Sequence, residues 1–185
     1  DIDAIKVLTL IAINIAFMVE WTRFAEEAGI NLYDVVDAIR LRPTHSNLMY
    51  PGIGVGGYCL TKDALLASWA RQNLIGESQP LYQSESAINI NDQMPRFTFE
   101  YLQKIYPKLK GVKILLLGVS YRGDVGDTRY SPVEKLYNYL LQTQENNRIP
   151  VTILTGFLGS GKTRTVYTIV YIGIDQVIDL INLRS

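Results

Sequence analysis

Cys59, Lys62 and Asp63 fall within a five-residue span directly behind YPGIGVGGY, a run that begins at Tyr50 and holds Gly52, Gly54, Gly56 and Gly57. A thiol, an ammonium and a carboxylate so spaced are the parts of covalent thiol chemistry. The cysteine adds to an electrophilic carbon, a nearby cation favours the thiolate, and the carboxylate positions or activates a water. The glycines let the backbone approach a ligand closely, and successive N–H groups in such a loop form a nest for an anion. A helix capped by Thr61 or Asp63 would point its positive N-terminal end at the same loop. On spacing alone, a glycine-rich turn beside a buried structural cysteine fits these residues as well.

A second glycine-rich run, GFLGSGKT, spans Gly156 to Thr163 and satisfies GxxxxGK[ST] between an expected strand and an expected helix. In that motif the backbone around Gly156, Gly159 and Gly161 cradles phosphates, Lys162 reaches the β- and γ-phosphates, and Thr163 holds Mg²⁺. A nucleotide phosphate with Mg²⁺ is the ligand this would imply.

The spacing of apolar residues sets out the elements that must carry these loops. Ala4 to Ala28 reads as a long helix apolar on most faces, stopped by Gly29; Asn31 to Arg42 reads as a second, capped by Asn31 and ended by Pro43. A third runs to about Asn73, and a fourth from Gln83 to Asp92, punctuated by Pro95 and resumed from Arg96 to Ile105. The texture then changes. VKILLL (Val112 to Leu117) reads as a buried strand, Ser131-Pro132 as the cap and first turn of a helix to about Gln144, and Val151 to Leu154 as a second strand. A helix from about Lys162 and a weakly helical tail follow. The fold class is α/β overall: an all-helical segment, residues 1–95, then a truncated parallel β-α-β Rossmann-like segment over 96–147, then a P-loop strand–helix tail over 148–185.

Composition narrows the function classes. The chain is 48% hydrophobic and 19% charged, which permits a packed core and argues against global disorder. Its formal net charge is zero, which argues against bulk binding to nucleic acid or an anionic membrane. The single cysteine rules out an intramolecular disulfide and points to a reducing, cytoplasmic setting. No signal-peptide pattern is visible. The longest apolar run, Val7 to Val19, is short of a membrane span and contains Thr9 and Asn14. No membrane, nucleic-acid or metal partner is expected. The opening at Asp1, with helical periodicity at once, reads as a truncation.

Four stretches in order resemble one family. PGIGVGGYCLTKD is similar to the PGxGxGGHCxxxD signature of the UDP-glucose/GDP-mannose dehydrogenases. INIAFMVEWTRFAEEAGINLYDVVDAI resembles that family's central helix, INDQMPRFTFEYL its passage into the third domain, and LLLGVSYRGDVGDTRYSPVEKL its LGxxYKxxxxDxRxSPxxxL motif. The resemblance covers residues 1 to about 142. It implies two successive NAD-dependent oxidations of a UDP-sugar C6 alcohol to a uronate, through a cysteine thiohemiacetal and thioester. Cys59 takes the nucleophile's place, Asp63 that of the water-activating aspartate, and Lys6 that of the lysine stabilising oxyanion charge. The loop from Tyr50 to Gly57 matches the sugar-nucleotide loop, Arg122 replaces a substrate-contacting lysine, and Arg129 matches an arginine near the cofactor. It also implies a homodimer through the central helices.

The pattern departs in three places. Tyr58 stands where the family has His. Leu10, not Asn, follows Lys6 by four residues, and Lys6 to Asn14 is about two residues short, which turns a helix face by about 200°. No GxGxxG follows a strand before residue 50, so the NAD domain is not in this sequence and turnover by the chain alone is not expected. Separately, IPVTILTGFLGSGKT resembles the opening of CobW-like GTPases, which would imply GTP with Mg²⁺; the likeness covers only about residues 148–163, no Walker B strand or CxCC site follows it, and a non-functional P-loop at a junction is the expectation. A GTPase or metallochaperone-like module and a dimerisation-only helical module are the alternative readings.

Overall fold

The computed structural model describes residues 2–50, 52–107, 113–121, 126–142, 151–154 and 169–173. The chain divides into two compact units, Asp1–Met94 and Pro95–Ser185.

The first unit is helical. Helix α1 (Ile2–Ala28) lies against α2 (Leu32–Arg40) and α3 (Asp63–Asn73). Small residues line its inner side. Ala12 and Ala16 pack with Ala64 of α3 and with Ala87 and Ile88 of α4 (Tyr82–Ile105); Met18 and Ala25 pack with Leu32 and Val36 of α2. Asn31 caps α2 as expected, its side chain accepting the Tyr33 N–H at 3.1 Å. Pro43 does more than follow a helix: it opens a short 3₁₀ turn, Pro43–His45.

Helix α3 starts without a side-chain cap, against the expectation for Thr61 or Asp63. The Thr61 hydroxyl donates back to the Gly57 carbonyl at 2.7 Å, and the Asp63 carboxylate holds Lys62 at 2.8 Å. Both groups are already engaged on the loop side.

The break expected at Pro95 does not occur, because α4 runs through it. Proline has no N–H, so the Asn91 carbonyl loses its helical donor, at a cost of about 3 kcal/mol or more. Pro95 is fully buried, and full burial of an apolar side chain returns about 1.5–3 kcal/mol, a comparable sum.

In the second unit β1 (Lys113–Leu117), α5 (Pro132–Gln142), β2 (Val151–Leu154) and β3 (Ile169–Gly173) follow in order. Ser131 accepts the Val133 N–H at 3.3 Å, the expected cap of α5. Ile114 and Leu116 of β1, Val133, Leu136 and Leu140 of α5, and Leu102 of α4 are buried, and Phe99 of α4 stacks on Tyr139 of α5 at 6.0 Å. The strand order is β2-β1-β3. β1 and β2 run parallel, from Ile114 beside Val151 to Leu117 beside Leu154, while β3 is antiparallel to β1.

Two sequence expectations change here. The described residues are mostly helical, and the expected parallel pair of strands forms between β1 and β2, but antiparallel β3 makes the small sheet mixed rather than a parallel Rossmann-like segment. Residues 169–173 form a strand where helix was the expectation: IVYIG is β-branched and aromatic, and it finds the free edge of β1.

The membrane reading also needs correction. By length and composition α1 is long and apolar enough to cross a membrane. Thr9 and Asn14 interrupt the run of apolar letters without interrupting the helix.

Candidate functional site

The glycine loop is pinned at both ends and in the middle. At its start, the Tyr50 hydroxyl donates to Asp37 of α2 at 2.7 Å, and the Tyr50 ring stacks on Tyr33 at 6.0 Å. The Arg40 guanidinium lies 4.7 Å from the centre of the same ring and donates to the Leu48 carbonyl at 2.8 Å. Asn14 of α1 grips the approach from the other side. It donates to the Asn47 carbonyl at 3.4 Å and accepts the Met49 N–H at 3.2 Å.

Midway, the Asn91 side chain of α4 pairs with the backbone of Val55 in both directions, each bond 2.8 Å. Gly54 and Gly57 flank this region at φ 110° and 89°, where a side chain would be strained. Of the loop N–H groups proposed as an anion nest, that of Val55 is therefore already taken by protein.

At the far end the Cys59 carbonyl accepts from both Lys62 N–H (3.2 Å) and Asp63 N–H (2.9 Å). Cys59 thus lies on a closed turn four residues ahead of α3, not at its first residue. Its residue is exposed. The Lys62 ammonium sits 4.2 Å from the centre of the Tyr58 ring and 2.8 Å from Asp63, whose side chain is the more buried of the two. The hydrogen bond with Asp63 holds Lys62 above the usual lysine range against the opposing effect of desolvation, and the charges of Asp63, Tyr58 and Cys59 add to it. The stability this adds is present below the ordinary value of 10.5 and is lost as pH rises through the raised one. Cys59, Tyr58, Lys62 and Asp63 form one electrostatically connected group.

The remaining sequence candidates lie elsewhere or outside the described residues. Lys6 is exposed and pairs with Asp3 at 3.0 Å, one helical turn away. Arg129, in the second unit, folds back on Asp127, with Nη2 2.6 Å from one carboxylate oxygen and Nε 3.0 Å from each. Arg122 and the P-loop residues Gly156, Gly159, Gly161, Lys162 and Thr163 lie outside the described residues. Among the described residues no group of His, Cys, Asp and Glu is placed to hold a metal ion.

The Asp127–Arg129 pair carries a pH prediction. The Arg129 hydrogen bonds hold the Asp127 carboxyl below its usual value of 3.8, so the pair's contribution is complete above that value and is lost as pH falls through the depressed one. An NMR titration of the Asp127 side-chain carboxyl carbon should show a midpoint below the ordinary one, moving up in Arg129→Ala. An unchanged midpoint would show that the pair does not form in solution.

Sequence reasoning did not single out Asn91, and Asn14 entered it only as a spacing marker and as a polar interruption of the apolar run. For Asn91 a signal existed: it follows Ala87 by four residues and Ile88 by three, on the buried face of α4, and a buried amide requires a partner.

In the first unit a long first helix and α4 hold a glycine loop, and an exposed thiol lies between that loop and a third helix. Residues 4–93 match the central domain of the UDP-glucose/GDP-mannose dehydrogenase family, and through them the chain belongs to that family. The UDP-N-acetyl-D-mannosamine dehydrogenase of Methanocaldococcus jannaschii is 36% identical over 129 residues, covering 70% of this chain and 28% of that protein. The enzyme of the same name from Pyrococcus horikoshii is 37% identical over 129 residues, covering 66% and 29%. The solved UDP-N-acetyl-mannosamine dehydrogenase of Staphylococcus aureus superposes with a TM-score of 0.66 at 27% identity, over 86% of this chain and 34% of that one. The match thus spans about a third or less of each relative's length.

Proposed function

We propose that this chain carries the thiol and sugar-nucleotide part of an NAD-dependent nucleotide-sugar 6-dehydrogenase, acting on a UDP-N-acetylhexosamine. The observation that carries this reading is the exposed Cys59 on a turn whose carbonyl accepts the Lys62 and Asp63 N–H groups, at the end of a loop pinned by three helices. The substrate class follows from the names of the relatives.

In such a dehydrogenase NAD would supply the hydride acceptor for the oxidations. The described residues do not fit that group: none forms a dinucleotide-binding turn, and Arg129 is paired with Asp127. The chemistry derived for this chain is that of the thiol. The Cys59 thiolate adds to the C6 aldehyde, a C–S bond forms, and the carbonyl π pair moves to oxygen. Lys62, three residues from Cys59 and paired with Asp63, is the candidate ammonium for that developing charge; Lys6, which the family resemblance puts in that role, lies on α1 and pairs with Asp3. At the thioester stage water adds at the carbonyl carbon, Asp63 takes its proton, and the C–S bond breaks to return the thiolate and release the carboxylate.

A homodimer is part of the same reading. Phe17, Trp21 and Phe24 form a continuous aromatic ladder on α1, centroids 5.8 and 5.7 Å apart, and all three are exposed by 46–55%. Such a face suits a second copy of the helix.

The thiol reading is tested on the full chain by iodoacetamide labelling of Cys59 with and without UDP-N-acetylmannosamine. Slower labelling at saturating ligand, absent with N-acetylmannosamine alone, is expected. Equal rates under all conditions would sink it.

A further inference from the structure

Asn91 is 8% exposed and sits on α4, thirty-six residues from the loop it holds. Its amide uses both faces: the side-chain oxygen accepts the Val55 N–H, and the side-chain nitrogen donates to the Val55 carbonyl. This is what a neighbouring β-strand would do for one residue of an edge strand, delivered by a helix side chain. A single donor or acceptor would leave Val55 free to rotate about the remaining bond, whereas two bonds to one planar amide fix the peptide planes on both sides of it. The flanking Gly54 and Gly57 lack Cβ restraints and can rotate widely, so the fixed point between them decides where the glycine run goes. Beyond that run, Gly57 is tied to Thr61 and Cys59 to α3, so the position of Val55 is passed along to the thiol.

We propose that Asn91 is a positioning residue, which through its two-way bond to Val55 sets the course of the glycine loop and the presentation of Cys59 to the sugar nucleotide. The substrate part of this inference rests on the function proposed above.

The test uses the full chain and three variants. Asn91→Ala leaves the part-buried Val55 N–H and C=O without that partner. It should raise hydrogen exchange at the Val55 amide by about 10-fold or more, the loss of a bond worth roughly 1–1.5 kcal/mol. It should also change the rate at which Cys59 reacts with 4,4′-dithiodipyridine. Ser84→Ala, at another buried polar position of the same helix, should change neither. Asn91→Asp supplies a readout that general destabilisation would not move. A protonated carboxyl has one O–H donor and one carbonyl acceptor and so replaces the amide, while a carboxylate only accepts and faces the Val55 carbonyl. The ratio of the aspartate variant's Cys59 rate to wild type should therefore be near one in acid and drift toward the alanine value as the carboxyl ionises, from about pH 4 upward.

A Val55 amide equally exchangeable in wild type and Asn91→Ala would overturn the proposal, as would an aspartate-to-wild-type ratio independent of pH. A third arm separates this inference from the function itself. In Asn91→Ala the UDP-N-acetylmannosamine concentration that half-protects Cys59 should rise about 10-fold, the equivalent of 1.4 kcal/mol. If wild type is not protected at all, the substrate reading fails, while the exchange and pH arms still decide whether Asn91 positions the loop.

Discussion

Gly57→Val is expected to remove protection of Cys59 by a UDP-sugar almost entirely. Gly57 sits at φ 89°, where a β-branched residue meets its own backbone whatever space surrounds it. Holding such a residue there costs about 1–3 kcal/mol, so the loop relaxes to a negative φ instead. That rotation swings the Gly57 carbonyl away from the Thr61 hydroxyl, which it accepts at 2.7 Å, and with it the turn that carries Cys59. A binding loss of roughly 10- to 100-fold follows if the strain falls on the bound geometry. Gly57→Ala should fall between valine and wild type, because one methyl is less strained than two branches. The check is iodoacetamide labelling across a ligand titration, with a thermal melt alongside. Wild-type protection in the valine variant would show that the left-handed backbone at this position does not matter to the site.

If the proposed dimer forms through α1, Trp21→Glu should leave a monomer at concentrations where the wild type associates. Trp21 is the centre of the ladder, tilted against Phe17 and edge-on to Phe24. An aromatic side chain covered at an interface buries about 150–250 Å² and is a frequent hot spot, with truncation costing 2 kcal/mol or more, about a 30-fold rise in dissociation constant. A carboxylate at the same place adds desolvation without a partner. Sedimentation velocity of both proteins over a concentration series reads the effect. A wild type that stays monomeric at the highest concentration would refute the interface, and an unchanged dimer in Trp21→Glu would move it elsewhere.

Much of the helical unit was legible in the sequence because its signals are local. Asn31 as a cap, Gly29 past the end of α1 and Ser131 before Pro132 are each a backbone requirement met by one residue within a few positions. Four elements of the reading rested on longer-range choices and changed. Pro95 ends a helix only if nothing else holds the chain, and its buried ring does. Residues 169–173 carried too few positions for periodicity to separate strand from helix, and the free edge of β1 decided. Thr61 is a good cap by type, but the Gly57 carbonyl competes for its hydroxyl. Thr9 and Asn14 shortened the apolar run on paper, yet neither breaks a helix. At the site, the chemistry-bearing residues were readable because Cys59, Lys62 and Asp63 are neighbours. What holds them was not, because the partners of Tyr50, Met49 and Val55 come from 13 to 36 residues away.

Those distant partners have one property in common. Asn14, Tyr33, Asp37, Arg40 and Asn91 all belong to the first unit. The loop's shape is thus written into a contiguous stretch of about half the chain and travels with it, whatever is joined before or after. A recombination or excision that kept residues 14–91 together would carry these anchors intact, and one that cut between Cys59 and Asn91 would leave the thiol on a loop still held at Tyr50 but without its midway anchor at Val55.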